Sequence, residues 1–114
     1  LYNVAIELDI IDDIEVQEDV FLDVFTYKTP QHESKIVFIK INPIIAHFLK
    51  GIEPFFNNFN AVTIEKSQCF YNKQNKPLKS TDLYTALSRG KDRNLDFFRR
   101  IDIQITKLKS TYLS

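Results

Sequence analysis

AVTIEKSQCF, residues 61–70, and DLYTALSRGK, residues 82–91, are the two stretches on which the reading of this 114-residue chain turns. In the first, β-branched residues predict a brief buried strand over 61–64. That strand would deliver Glu65, Lys66, Ser67 and Gln68 at its carboxyl edge, where open α/β sheets hold their ligands. A loop of this kind suits phosphate: lysine brings a point charge, while the serine hydroxyl and backbone N–H groups bring directed donors. In the second stretch, Ser80, Thr81 and Asp82 are N-cap residues, and Leu83, Tyr84 and Leu87 share one face of the helix that follows. Gly90 is placed to end that helix in a left-handed turn. The helix would aim Arg89 out of its last turn, with Gly90 beside it relieving crowding. A guanidinium so placed can touch the outermost phosphate of a nucleotide, where charge develops in phosphoryl transfer. Taken singly, neither pattern is specific to a phosphate ligand.

Together, and in this order, the two blocks are more specific. AVTIEKSQ resembles the motif written TIHKSQG, and LYTALSRGK resembles the motif YVALSR, the fifth and sixth motifs of superfamily 1B DNA helicases of the RecD-like and Pif-type group. The resemblance is specific over about residues 59–98 and looser upstream. It implies an α/β fold in which residues 59–114 are the C-terminal part of a RecA-like second lobe. Residues 1–58, an acidic segment expected to be β-rich, would then be an inserted subdomain. The resemblance places Arg89 on the family's arginine finger, with Gly90 beside it at the nucleotide, and puts Thr63, Lys66, Ser67 and Gln68 on positions that track single-stranded DNA. Tyr84 and Leu87 fall on apolar motif positions and are expected in the core. The motor reading also asks that Arg89 lie near the loop at Lys66. Two departures stand out: Glu65 replaces the usual histidine with an anion that would repel a phosphate backbone, and Cys69 replaces the usual glycine.

The same resemblance sets a limit. With only Gly51 and Gly90 in the chain, no GxxxxGK[ST] loop can be written. ATP and Mg would be held mainly by an absent N-terminal helicase lobe, and the chain is expected to be inactive by itself. At 114 residues it is one ordinary domain in length, short of the two lobes a motor requires. It begins with Leu1 rather than Met, so the natural N-terminus is expected upstream.

Working outward, residues 4–10 and 14–27 mix apolar, acidic and β-branched positions and predict two or three strands. Residues 29–34 read as a polar turn, and KIVFIKI at 35–41 is the clearest strand, expected to pair with the segment ending at Tyr27. Pro43 opens a short helix over 44–49 that Gly51 would close. The aromatics of FFNNFN at 55–60 sit in a loop and need cover, and 72–79 is a polar loop. Alternation of Ile101, Ile103 and Ile105 predicts a last strand.

The net charge of zero hides an asymmetry. Residues 1–34 carry nine acidic side chains against Lys28 alone, whereas 66–109 carry eleven Lys and Arg against four Asp. The basic half, interleaved with Phe70, Tyr71, Tyr84, Phe97 and Phe98, suits nucleic acid or nucleotide. The acidic half is either a solvated surface or a face for a basic partner. No apolar run approaches the roughly 18 residues that span a bilayer, so no membrane partner is expected. Cys69 is the one cysteine, which favours the cytoplasm or nucleus. No metal site is expected: His32 and His47 are isolated, and Asp9, Asp12, Asp13 and Glu15 lack the glycine and spacing of a calcium loop. Two other classes stay open, a non-catalytic single-stranded nucleic-acid-binding module and a protein-interaction domain.

Overall fold

The computed structural model of the chain describes residues 1–12, 14, 16–26, 35–56, 59–89 and 95–112, the side chains of Asp23, Thr26, Arg89 and Tyr112 excepted. Helix α1 (Tyr2–Glu7) and helix α2 (Glu18–Thr26) precede strand β1 (Ile36–Val37) and helix α3 (Asn42–Ile52), which runs into a 3₁₀ turn at Glu53–Phe55. Helix α4 (Ala61–Ser67), strand β2 (Phe70–Tyr71), helix α5 (Ser80–Arg89) and helix α6 (Leu95–Tyr112) follow. Among the described residues the fold is mixed but 66% helical, so the expected α/β class holds only in that broad sense.

Four sets of expected strands fall wholly or partly on helices, the one at 61–64 lying in α4. Of residues 4–10, the first four belong to α1, where Val4 and Ala5 are buried together with the C-cap Leu8, at helical spacing. It ends in a Schellman arrangement: Asp9 is left-handed at φ 54°, its N–H donates to the Ile6 carbonyl, and the Ile10 N–H donates to the Ala5 carbonyl. Aspartate tolerates that conformation better than most residues. The 14–27 segment yields α2, with Phe21 and Val24 buried three apart and Glu18 and Asp19 favourably placed at its positive end. The isoleucine alternation near the C-terminus lies inside α6, where Phe98, Ile101 and Ile105 are buried and Leu108 half-buried. That 3-4-3 spacing is a helical stripe, and Ile103, which made the period look like two, points to solvent.

The strand at 35–41 is present in shortened form as β1 and pairs in parallel with β2, Ile36 opposite Phe70 and Val37 opposite Tyr71. Its expected partner was the segment ending at Tyr27; that segment is helical up to Thr26, and Tyr27 lies outside the described residues, as does the turn at 29–34. On its other side the segment bonds to 10–11, with the Ile39 N–H donating to the Ile10 carbonyl and an antiparallel bridge between Ile11 and Phe38.

Helix α3 begins at Pro43 as expected but runs through Gly51 instead of ending there. Of its eleven residues only Lys50 is exposed. It packs chiefly against α5 and α6, and the approach to α6 is close enough that a β-carbon on Gly51 would sit 2.5 Å from Ile105 Cδ1. Across the other end of the molecule Phe25 gathers Phe21, Phe56, Phe59 and Phe70 at centroid distances of 4.7 to 5.6 Å, which covers Phe56 and Phe59. Both sides of the expected 58/59 division contribute to a single hydrophobic cluster, and the radius of gyration of 13.2 Å is that of one compact domain of this length.

Phe48 is fully buried at the centre of α3. Phe48→Ala is expected to lower unfolding free energy by about 3–5 kcal/mol, read as a fall in the urea midpoint at unchanged slope.

Candidate nucleic-acid interface

The two blocks that carry the sequence resemblance are docked directly on one another, but the first has a different form from the one expected. Residues 61–67 make α4 because Asn60 caps it: its side-chain oxygen accepts from the Val62 and Thr63 N–H groups at 3.0 and 3.1 Å. The Thr63 hydroxyl completes the box by accepting from the Asn60 N–H at 2.9 Å and donating to the Asn60 carbonyl at 3.0 Å. Ala61 and Ile64, three apart, are the buried face, and β-branched Val62 is left outside. A reciprocal cap at the start and a left-handed Gln68 at the end outweigh the strand preference of a four-residue run.

This changes what the expected strand-tracking residues can do. The Thr63 hydroxyl is committed to the cap. The Ser67 hydroxyl donates to the Ile64 carbonyl at 2.8 Å and accepts from the Cys69 N–H at 3.2 Å. Lys66 and Gln68 are exposed and able to reach a ligand. The residue that adopts positive φ is Gln68, at 54°, and not Cys69, so the missing glycine costs no backbone strain. Cys69 is buried, its thiol donating to the Ser67 carbonyl.

Glu65, read from sequence as a repulsive anion at the strand site, has an intramolecular role. Its Oε1 accepts from the Ser80 N–H at 2.8 Å and lies 3.5 Å from the Ser80 hydroxyl. It therefore supplies an acceptor and a negative charge at the start of α5, which is where a helix has unpaired N–H groups and partial positive charge. Nothing local in the sequence signals this link, since it joins residues fifteen apart.

Between the blocks, residues 72–79 form an ordered turn. Asn72 Oδ1 accepts from the Gln74 and Lys76 N–H groups at 2.9 and 3.0 Å, and the Asn72 N–H donates to the Lys76 carbonyl at 2.8 Å. Asn75 takes the left-handed conformation at φ 61°. The returning chain is stitched to β2 by the Leu78 N–H on the Phe70 carbonyl and by a bridge between Tyr71 and Pro77. Lys35 holds the tip, donating to Asn75 Oδ1 at 3.2 Å with its ammonium 4.8 Å from the centre of the Tyr71 ring.

Arg89 is the last residue of α5. Its side chain and all of Gly90 lie outside the described residues. Glu65 holds the first residue of α5 beside the end of α4, while Asn60, Ala61, Ile64, Leu83, Tyr84 and Leu87 line a groove between the two helices. Lys66–Gln68 follow Glu65 at the start of α5, and the Arg89 backbone is at its other end, the ten residues spanning about 15 Å. The structure does not bring them together as the motor reading asks. On α5 the buried residues are Leu83 and Ala86; Leu87 is half-buried, and Tyr84, expected in the core, is 54% exposed.

Elsewhere, His47 Nε2 meets Asp102 Oδ1 at 2.7 Å and its ring stacks on Phe98 with centroids 4.2 Å apart, which ties α3 to α6. Phe97 is flanked by Lys40 and Arg100, each 5.1 Å from its ring centre. Among the described residues no group of three or more His, Cys, Asp or Glu side chains could hold a metal ion, and no helix is long and apolar enough to cross a membrane. His32, Asp13 and Glu15 lie outside the described residues. Compared with protein-family models, curated proteins and solved structures, the chain matches none.

Glu65→Ala is expected to cost about 1 kcal/mol of unfolding free energy and Glu65→Gln less, because an amide oxygen can still accept from the Ser80 N–H. Asn60→Ala should also cost about 1 kcal/mol by loss of the α4 cap. Urea titrations check both; equal effects of the two Glu65 variants would show that the carboxylate's hydrogen bond contributes nothing.

Proposed function

We propose that this chain is a C-terminal segment of a DNA helicase motor of the superfamily 1B, RecD-like and Pif-type kind, acting on single-stranded DNA with a nucleotide-binding lobe supplied from elsewhere. What supports the reading is the pair of blocks at 61–70 and 82–91, similar to that family's fifth and sixth motifs and in the same order. The observation that carries it into three dimensions is their direct docking through Glu65 and Ser80, with α4 packed along α5. In this reading residues 59–114 stand for part of a RecA-like lobe and residues 1–58 for its inserted subdomain, built mainly from α1, α2 and α3 together with the short strand β1.

The placement of Lys66–Gln68 and Arg89 at opposite ends of α5 departs from the proximity this reading expected, so the reading requires α5 to couple the two contacts along its length. The α4–α5 pair would present Lys66 and Gln68 to the strand at one end and Arg89, with Gly90, toward the other lobe at the far end. The chain's own residues do not fit ATP and Mg: it has two glycines and no phosphate loop, and the described residues offer no metal-binding group. Both would belong to the partner lobe, and the protein to the cytoplasm or nucleus.

A second reading, a single-stranded nucleic-acid-binding module without ATPase partnership, is favoured by one observation: residues 66–81 contain four lysines and no carboxylate. Nucleotide separates the two. In the intact motor Arg89→Ala is expected to reduce ATP hydrolysis by about 10³-fold or more while leaving oligonucleotide affinity within about twofold. Unchanged turnover in that variant would refute the motor reading. Strand affinity indifferent to ATP in the intact protein would favour the module.

A further inference from the structure

Lys66, Lys73, Lys76 and Lys79 are exposed and make no ion pair with a described residue. Three of them stand on or just after the turn at 72–79, whose backbone is held by five hydrogen bonds to or from Asn72 and Phe70. The exposed Gln74 amide stands between Lys73 and Lys76, and Lys35, tethered to Asn75 and lying over Tyr71, adds a fifth cation at the tip. We propose that this turn is a binding site for the phosphate backbone of single-stranded nucleic acid, the principal strand contact of the chain, in place of the hydroxyls of Thr63 and Ser67. The inference rests on the reading that the chain handles single-stranded DNA and relocates the contact within it.

Three features point to a phosphate backbone. The cations are lysines, which act on phosphate as hydrated point charges and do not need a fixed fork geometry. Most apolar side chains of the stretch are turned away: Cys69, Phe70 and Leu78 are buried. A protein partner would want a large apolar or aromatic anchor at the centre of its contact, and a bilayer surface would want apolar side chains to insert; this turn exposes only Pro77 and part of the Tyr71 ring, which Lys35 overlies. What remains is a rigid display of charge and amide. Because Asn72 and the left-handed Asn75 hold the turn in one shape, the backbone does not have to be ordered when a strand binds. Between residues 60 and 82 the acids are Glu65, engaged at Ser80, and Asp82 in the first turn of α5. Neither interrupts the run of cations.

The test is a fluorescence-anisotropy titration of a labelled poly-dT oligonucleotide into the full chain across salt. The variants are Lys73→Gln, Lys76→Gln and Lys79→Gln combined, and a control that removes the same charge from α6 as Arg99→Gln, Lys107→Gln and Lys109→Gln. The turn variant is expected to bind at least about tenfold more weakly at low salt and to lower the slope of log K against log salt by about 2, since each phosphate contact on a single strand contributes about 0.7. Arginine at the same three positions should restore affinity. All six positions are exposed, and matching circular dichroism spectra would exclude a folding defect. Equal loss in the two variants would mean that net charge alone is read, and would overturn the inference. So would a turn variant that binds as the unmodified chain does, while leaving the wider reading intact. Failure of the unmodified chain to bind at low salt would overturn both.

Discussion

Burial of α3 is the constraint from which the arrangement of the rest follows. Ile44, Ile45, Ala46, Phe48, Leu49 and Ile52 are all buried, and they occupy so much of the helix circumference that it must be enclosed by other elements. Helices α5 and α6 do most of this, and α6 can come close because Gly51 has no side chain where Ile105 packs. The contact between α3 and α6 is also finished with polar chemistry at its edge, where His47 lies flat on Phe98 and bonds to Asp102. Transferring these side chains from water supplies the main driving force for collapse, at roughly 25 cal/mol per Å² of apolar surface.

Once α5 is fixed against α3, both ends of the candidate interface are fixed with it. The start of α5 receives Glu65, so α4 is set beside it, and the chain between them is drawn back along β2. The turn at 72–79 therefore projects from a braced stem: β2 is paired to β1, β1 is bonded onward to the segment at 10–11, and Lys35 reaches from the foot of β1 to the tip of the turn. The far end of α5 carries Arg89 away from that stem. Two points that lie close in a motif alignment are separated by the stiffness of one helix.

The charge asymmetry read from sequence is not a clean division in the fold. Glu7, Asp9, Glu18 and Asp19 are exposed on and around α1 and α2, and the exposed lysines follow α4 and reach up to α5. Glu7 also shares a pocket with Arg100 of α6, so acidic and basic side chains meet there. The basic pair around Phe97 joins Arg100 of α6 to Lys40, which lies between β1 and α3.

Several local elements were legible because their causes are local. Ser80 to Asp82 announce the start of α5, Pro43 opens α3, and the polar residues at 72–79 make a turn through the hydrogen-bonding habits of Asn72 and Asn75. The expected strands that became helices were short runs of β-branched residues in which a period of two and a period of 3.6 fit almost equally well. For 61–64 the cap at Asn60 decided, and for 101–105 the stripe from Phe98 to Leu108 decided, because the face that meets α3 is selected by burial and not by propensity. By itself, the sequence determined the two motif-like blocks, their order, the absence of a phosphate loop and the asymmetry of charge along the chain. Only the tertiary structure decided that Glu65 caps a helix, that the Thr63 and Ser67 hydroxyls are used internally, and that Lys66 and Arg89 stand apart, since each follows from contacts between residues that chain packing brings together or holds asunder.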